Sequence, residues 1–472
     1  MKKMLISEAA KIMGGKLVND NGGYITGGCI DSRKAYDGCL FVAFNGENTD
    51  GHNYIKNAVE GGASAAVVNY VPEGITCPCI IVKDSIKALQ DLAEYYRKSL
   101  DIKVVGISGS VGKTSTKEIV ASVLAAKYKV HKTEGNYNNE IGLPLTVLDI
   151  SEDDEIAVLE MGISDFGEMR VLSKVARPDV CILTNIGQAH LEALGTRDGI
   201  LKAKTEMFEY MNPDAAIFVW GDDDKLCTIK LDENGYPTSE VLDNSKMKVK
   251  CSKLVHYGFE STNDIYAADI KSLKLAGSTF KLVLSDSTLD AGIKIIGEHM
   301  VLNAIAAAGV AKHLNLSNEE IFEGLKAADT ISGRCHLIKF GKGYIIDDCY
   351  NASPDSMKQS INLLDMGEGV RILILGDMLE LGDETEKMHY EIGKYGATHS
   401  FDKAILVGDL SGCIYKGIMD SEDRKIKEAI HLNSTDELLE KLDELIPDDS
   451  NVLFKASNGM RFKLAIEKLC KR

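Results

Sequence analysis

No part of the 472-residue sequence holds an apolar run near the roughly 20 residues that a bilayer-crossing helix needs, which excludes a membrane-inserted helix. The opening stretch MKKMLISEAAKIMGG has two lysines, but Glu8 and Lys11 break its apolar character, so it reads as a short amphipathic helix and not a signal peptide. Positive charge is scarce. With 54 Lys and Arg against 71 Asp and Glu, the formal charge of −17 excludes non-specific binding to nucleic acid or an anionic membrane. Any phosphate-binding groups must therefore be gathered locally. The eleven cysteines are scattered, and only Cys77 and Cys79 stand close, with no second pair at zinc-site spacing. That pair reads as structural, and the chain is expected in the cytoplasm with reduced thiols. No fixed-period repeat or low-complexity segment is present.

The sequence does have the composition of a soluble globular protein, 44% apolar and 26% charged. Its length calls for two to four domains, and three fit best: 1–100, 101–329 and 330–472. In the first, GCLFVAF and ASAAVVNY read as strands, and HNYIKNAVEGGA and SIKALQDLAEYYRKSL as helices. In the second, apolar runs such as IKVVGIS, EIAVLEMG, DVCILTNI and AAIFVW alternate with helical stretches, the rhythm of a parallel sheet wrapped by helices. Short alternating runs between about 235 and 290 predict a small antiparallel insertion. The third segment, with GYIIDDC, VRILILGD and KAILVG, is again α/β. The predicted fold class is α/β throughout.

Residues 106–116, GISGSVGKTST, link a β-branched strand to a helix through a glycine-rich turn. Such a turn aims backbone N–H groups and a helix N-terminus at an anion. Lys113 would add a point charge on the outer phosphates, and the Thr114 hydroxyl could join a Mg²⁺ shell. The strict phosphate-loop pattern wants glycine where Ile107 stands, so this is a variant loop framed by Gly109 and Gly112. Magnesium needs hard oxygen ligands, and Glu160 ends a buried strand where ligands bind in such sheets. Taken alone, Glu160 reads equally as a solvated carboxylate. His190 alone reads as a surface residue, and Lys202 and Lys204 as members of a solvated helix face.

Together and in order, these features resemble the ATP-dependent Mur ligases of bacterial cell-wall synthesis, over the whole chain. Residues 31–68 resemble that family's UDP-sugar-binding domain, GSVGKTSTKE its ATP loop, and KTEGNYNNEIGLP the segment after it. GEHMVLNAIAAAG, SGRCHLI, DDCYNASPDSM and GDMLELG continue the match. With the asparagine-rich segment, these four resemble the member acting on UDP-MurNAc-tripeptide and D-alanyl-D-alanine. The tetrapeptide Asp-Asn-Pro-Arg of the sibling that adds the third amino acid is absent.

The resemblance implies transfer of the ATP phosphate to the peptide carboxylate, then attack of the dipeptide amine on the acyl phosphate. It implies ATP contact along Gly109, Ser110, Val111, Gly112, Lys113, Thr114 and Ser115, and from Asn303, Arg334, Asp348 and Tyr350. It implies two Mg²⁺ ions, with Thr114, Glu160, His190 and a carbamylated lysine as metal positions; Lys204, followed by Met207-Phe208 as in the family, is preferred for that lysine over the neighbouring Lys202. Ser32, Arg33, Asn45, Asp50, Gly51 and His52 match the UDP side, and Asn136, Asn138 and Asn139 the sugar and peptide side. TDGHN alone reads as a turn into a helix, and GNYNNE alone as a loop held by Asx turns. Cys349 and Ser353 depart from the family's usual Ser and Asn. Lys455 and Arg461 could contact the peptide substrates, but a final strand and helix explain most of that run. A monomer is expected. The rival readings are a folate polyglutamate synthetase, which lacks a UDP-sugar domain, and a nucleotide-switched binding protein, for which the GTPase tetrapeptide Asn-Lys-x-Asp is missing.

Overall fold

Strand Lys103–Ser108 is buried at every residue after its first, as an unbroken β-branched run predicts for a strand covered on both faces. It lies inside a nine-stranded sheet. Val130–Lys132, Ile156–Glu160, Lys103–Ser108, Val180–Leu183, Ala215–Trp220, Cys251–Gly258 and Ile265–Ser272 run parallel in that order. Ser278–Val283 and Thr288–Ile293 then close one end antiparallel. The antiparallel run expected near 235–290 is thus no separate lobe but an extension of the central sheet. The computed structural model describes residues 1–46, 49–242, 247, 249–330, 332–379 and 381–472. Glu47 and Asn48 of the first-segment motif, and Glu380 of the last, lie outside the described residues.

Successive strand residues face opposite sides of the sheet. Val105, Ile107, Val158 and Ile182 share one core with helices Lys113–Leu124 and Glu298–His313. Val104, Ala157, Leu159 and Leu183 share another with Ser85–Ser99, Gly142–Asp149 and Glu168–Ala176. Each buried Val, Ile or Leu side chain contributes about 1.5–3 kcal/mol, so the two-sided cover holds these strands in place.

The first segment forms a five-stranded sheet in the order Lys16–Val18, Cys79–Ile81, Ala65–Val68, Cys39–Val42, Gly27–Cys29. Helix Ser85–Ser99 starts on Asp84, whose carboxylate accepts the N–H groups of Ile86 and Lys87 at 3.0 Å, a side-chain cap. The same helix fastens the first sheet to the central one. Tyr96 Oη donates to Ile150 O at 2.7 Å, and Arg97 Nε to Ala176 O at 2.9 Å.

The last sheet has six strands in the order His336–Phe340, Gly343–Asp347, Asn451–Lys455, Arg371–Gly376, Lys403–Val407, Glu428–Leu432. All neighbours are parallel except the first pair. The strand order reverses between Asn451–Lys455 and Arg371–Gly376, and ligands bind outside the carboxyl ends at such a switch point. Leu379 and Lys455, from those two ends, face the glycine loop of the central sheet across a crevice.

Candidate active site

The glycine loop is strapped to the segment that follows Val180–Leu183. Val111 N donates to Asn185 Oδ1 at 2.9 Å, Val111 O accepts Thr184 Oγ1 at 2.7 Å, and Gly187 N donates to Ser110 Oγ at 3.0 Å. Gly109 has φ +151°, and a Cβ there would lie 1.9 Å from Thr184 Oγ1. Gly112 has φ +86° just before helix Lys113–Leu124. Both turns need glycine. Ile107, by contrast, is fully buried inside the strand and paired with Glu160, so the position where the strict pattern puts glycine needs no left-handed backbone here.

Around the loop the structure gathers Lys113, Thr114, Glu160, His190 and Lys204. Lys113 Nζ donates to Gly109 O at 2.8 Å and Ser110 O at 3.3 Å. Burial lowers its pKa, the Glu160 charge opposes that shift, and Arg334 adds to it. Glu160 is 2% exposed; its Oε1 accepts Asn138 Nδ2 at 2.8 Å, and its Oε2 is buried with no partner among the described residues. His190 adopts a left-handed backbone, φ +61°, ahead of the short helix Leu191–Leu194. Burial, then the charges of Lys204 and Lys113, push its pKa down to about 4. Lys204 is 1% exposed on helix Arg197–Thr205, which Thr196 caps through Gly199 N at 3.0 Å. Burial, then Lys113, drives its pKa far below the usual lysine value. Its side chain is thus buried and not on the solvated face that the residue pattern alone allowed.

The crevice, of about 100 Å³, lies between Lys113, Thr114 and His190 on one side and Arg334, Asn351 and Lys455 on the other. Arg334 Nη2 donates to Thr114 Oγ1 at 3.4 Å, its guanidinium stacks 4.1 Å from the Tyr350 ring centre, and its Nε is buried without a partner. Asn303, on helix Glu298–His313, sits beside the loop, its Oδ1 3.7 Å from where a Cβ on Gly112 would lie. Ser115 occupies the next position on the loop's own helix. Asp348 is turned inward: it accepts Lys455 Nζ at 2.8 Å, Ser360 Oγ at 2.5 Å and Cys335 N at 3.2 Å. Lys455, at the end of the strand Asn451–Lys455, lines the crevice. Its position at the end of an apolar strand was the only local sign.

The first-segment residues lie apart from this crevice. Ser32 and Arg33 start a short turn, with Arg33 gripping Asp31 through Nε and Nη2 at 2.9 and 2.8 Å. Asn45 and Asp50 form an isolated bridge, and Gly51 N donates to Phe44 O at 3.0 Å. Asp50 accepts His52 Nδ1 at 2.6 Å and Tyr70 Oη at 2.8 Å, while His52 Nε2 accepts Asn69 N at 3.0 Å. His52 is thus buried with both ring nitrogens committed to the protein. In the asparagine segment, Asn139 Oδ1 accepts the N–H groups of Ile141 and Gly142 at 3.2 and 2.8 Å, an Asx turn. Asn138 holds Glu160. Asn136 and Asn139 are both exposed, and Asn136 makes no side-chain hydrogen bond among the described residues.

The donor set suits magnesium. Thr114 and Glu160 offer hard oxygens, and one Glu160 oxygen is buried and unclaimed. Among the described residues no three His, Cys, Asp or Glu side chains converge as a closed cage, and Mg²⁺ is characteristically held by one or two protein oxygens plus phosphate and water.

Residues 24–108, 107–311 and 333–458 match, in order, the families described as Mur ligase family catalytic domain, Mur ligase middle domain, and Mur ligase glutamate ligase domain. The chain is 36% identical to the UDP-N-acetylmuramoyl-tripeptide–D-alanyl-D-alanine ligase of Bacillus subtilis, covering 99% of each chain. It is similar to the crystal structure of MurF from Acinetobacter baumannii, with a TM-score of 0.87, 29% identity and 100% of both chains covered. It is also similar to the MurF ligase of Thermotoga maritima in complex with ADP, with a TM-score of 0.78 and 28% identity over 94% of this chain and 97% of that one.

Proposed function

The chain belongs to the Mur ligase family, and from that premise we propose how its site works. It is an ATP-dependent ligase that joins D-alanyl-D-alanine to UDP-MurNAc-tripeptide in peptidoglycan synthesis. The observation that carries the chemical reading is the buried, unpartnered Oε2 of Glu160, whose charge acts on Lys113 beside the glycine loop.

The N–H groups of the loop and Lys113 would hold the outer phosphates of ATP, with Asn303 and Tyr350 toward the base, while Asp348, bonded to Lys455 and Ser360, would support the ribose side from behind. The tripeptide's terminal carboxylate is anionic, so it and ATP repel unless cations lie between them. Bound at Thr114 and Glu160, with a second ion at His190 and Lys204, Mg²⁺ would neutralise charge on the phosphates during transfer. Lys113 and Arg334 supply the same neutralisation from the chain itself. The carboxylate takes the terminal phosphoryl group and ADP leaves. The dipeptide amine then attacks the acyl carbon through a tetrahedral intermediate, loses its proton, and expels phosphate. A neutral, buried Lys204 amine is also the form that can add carbon dioxide and lose a proton, giving a carbamate with two oxygen donors.

Ser32 and Arg33 would meet the UDP group, with Asn45 at the edge of that site. Asp50, Gly51 and His52 would shape the loop from behind, and Asn136 would reach the sugar. Residues 1–100, 101–329 and 330–472 would act as three units. A crevice of about 100 Å³ is below the ~300 Å³ lower limit of ordinary ligand pockets, so the third unit would swing away to admit ATP. Net charge of −17 supports a monomer, and the free thiols support a cytoplasmic setting.

The test is ADP release by the purified protein with each substrate omitted in turn. Release should require both UDP-MurNAc-tripeptide and D-alanyl-D-alanine and should match amide formed. Turnover without either acceptor, or none with both, contradicts the reading.

A further inference from the structure

Glu160 can serve a metal only if its free oxygen points into the site, and the chain fixes that orientation from two sides. We propose that Asn138 is a positioning residue for this carboxylate and not a substrate contact; the inference rests on the metal role given to Glu160 above.

The amide geometry is decisive. A carboxylate only accepts, so the Asn138 NH₂ faces Glu160 Oε1, at 2.8 Å, and commits one of its two hydrogens there. Asn138 is itself pinned at both ends of its backbone: its N–H donates to Asn136 O, and its C=O accepts Gly162 N, each at 2.8 Å. The side-chain amide lies against Gly162, where a Cβ would come within 3.0 Å of it. On the opposite side, Glu160 N donates to Thr133 Oγ1 at 2.9 Å, and Thr133 O accepts Lys117 Nζ at 2.6 Å. Lys117 is buried on the helix that begins with Lys113 and Thr114. The carboxylate of Glu160 and the hydroxyl of Thr114 are thus held in one hydrogen-bonded frame. One Glu160 oxygen is occupied and the other is buried without a partner.

Groups that orient a metal ligand change metal affinity by roughly 10- to 100-fold when removed. The test reads Mn²⁺ binding by electron paramagnetic resonance, with a non-hydrolysable ATP analogue and no UDP substrate, so that loss of a substrate contact is silent. Asn138→Ala should weaken Mn²⁺ about 10-fold, with metal-free nucleotide affinity unchanged and Asn136→Ala without effect on the metal. Should the alanine variant lose the fold, the near-isosteric Asn138→Leu keeps the packing against Gly162 and should show the same weakening. Unchanged Mn²⁺ affinity in the folded variant, with a raised KM for the UDP substrate, overturns the proposal. Glu160→Gln separates the two layers. If it weakens Mn²⁺ while the Asn138 variants do not, only the present inference fails; if it leaves Mn²⁺ binding intact, the metal role of Glu160 fails with it.

Discussion

The glycine loop and the first-segment loop around Asp50 are both dense in polar motif residues, yet their polar atoms end differently. Beside the glycine loop, Glu160 Oε2 and Arg334 Nε are buried with no partner among the described residues, and burial drives the pKa of Lys204 far below the usual lysine value. Around Asp50, the carboxylate and the neighbouring imidazole are both closed within the protein: Asp50 to His52 and Tyr70, His52 to Asn69. A buried polar atom left unpaired costs about 1–3 kcal/mol, which a fold sustains where a ligand completes the bond. The first region therefore reads as contact surface and the second as scaffold, although both carry motif residues of the same family.

The contrast is broken most sharply by Lys113→Ala. Removing this charge should lower kcat by about 10³-fold or more, with the melting temperature nearly unchanged, since Lys113 bonds only carbonyls of its own loop. Steady-state ADP release and calorimetry on the same sample decide it; near wild-type turnover would mean that the loop does not serve ATP. His52→Leu should do the reverse. It strands the Asn69 N–H and strips Asp50 of a partner, costing about 2–3 kcal/mol of stability in urea titration while kcat holds. A large fall in kcat at unchanged stability would move His52 to the contact side. Asn139→Ala should cost about 1 kcal/mol, as for a lost helix cap, with the KM for the UDP substrate within twofold; a larger rise in KM would restore Asn139 as a sugar contact.

The smallest effect is one of pH. His190 titrates at about 4 in the folded chain, below the ordinary 6.5. Between those values the unfolded chain binds a proton that the folded one refuses, so stability falls as pH drops from about 6.5 towards about 4. His190→Asn should flatten that part of a melting-temperature profile. An identical slope in both proteins would mean that the imidazole is not shielded as its surroundings require.

Local features were readable from sequence where the chemistry is local. The strand, the two glycines and the helix around Lys113 follow from spacing alone, and the central parallel sheet follows from its apolar runs. What escaped depends on partners far along the chain. By residue pattern Glu160 reads equally as a solvated carboxylate; what buries it is its pairing beside Ile107 and its bond to Asn138. Arg334 meets Thr114 across 220 residues, and Lys455 meets Asp348 across a parallel sheet whose strand order no local period encodes. The antiparallel run near 235–290 was correct in kind, but its docking onto the central sheet edge is a tertiary choice. Family resemblance points to Lys204, and the structure shows why that lysine is chemically unusual: it is buried, and burial and then the Lys113 charge lower its pKa.

The most direct measurement of phosphoryl transfer onto a carboxylate uses UDP-MurNAc-tripeptide labelled with ¹⁸O in both oxygens of its terminal carboxylate. Passage through an acyl phosphate sends one labelled oxygen into each phosphate released and leaves the other in the new amide. Released phosphate free of ¹⁸O, with amide still formed, would contradict the mechanism.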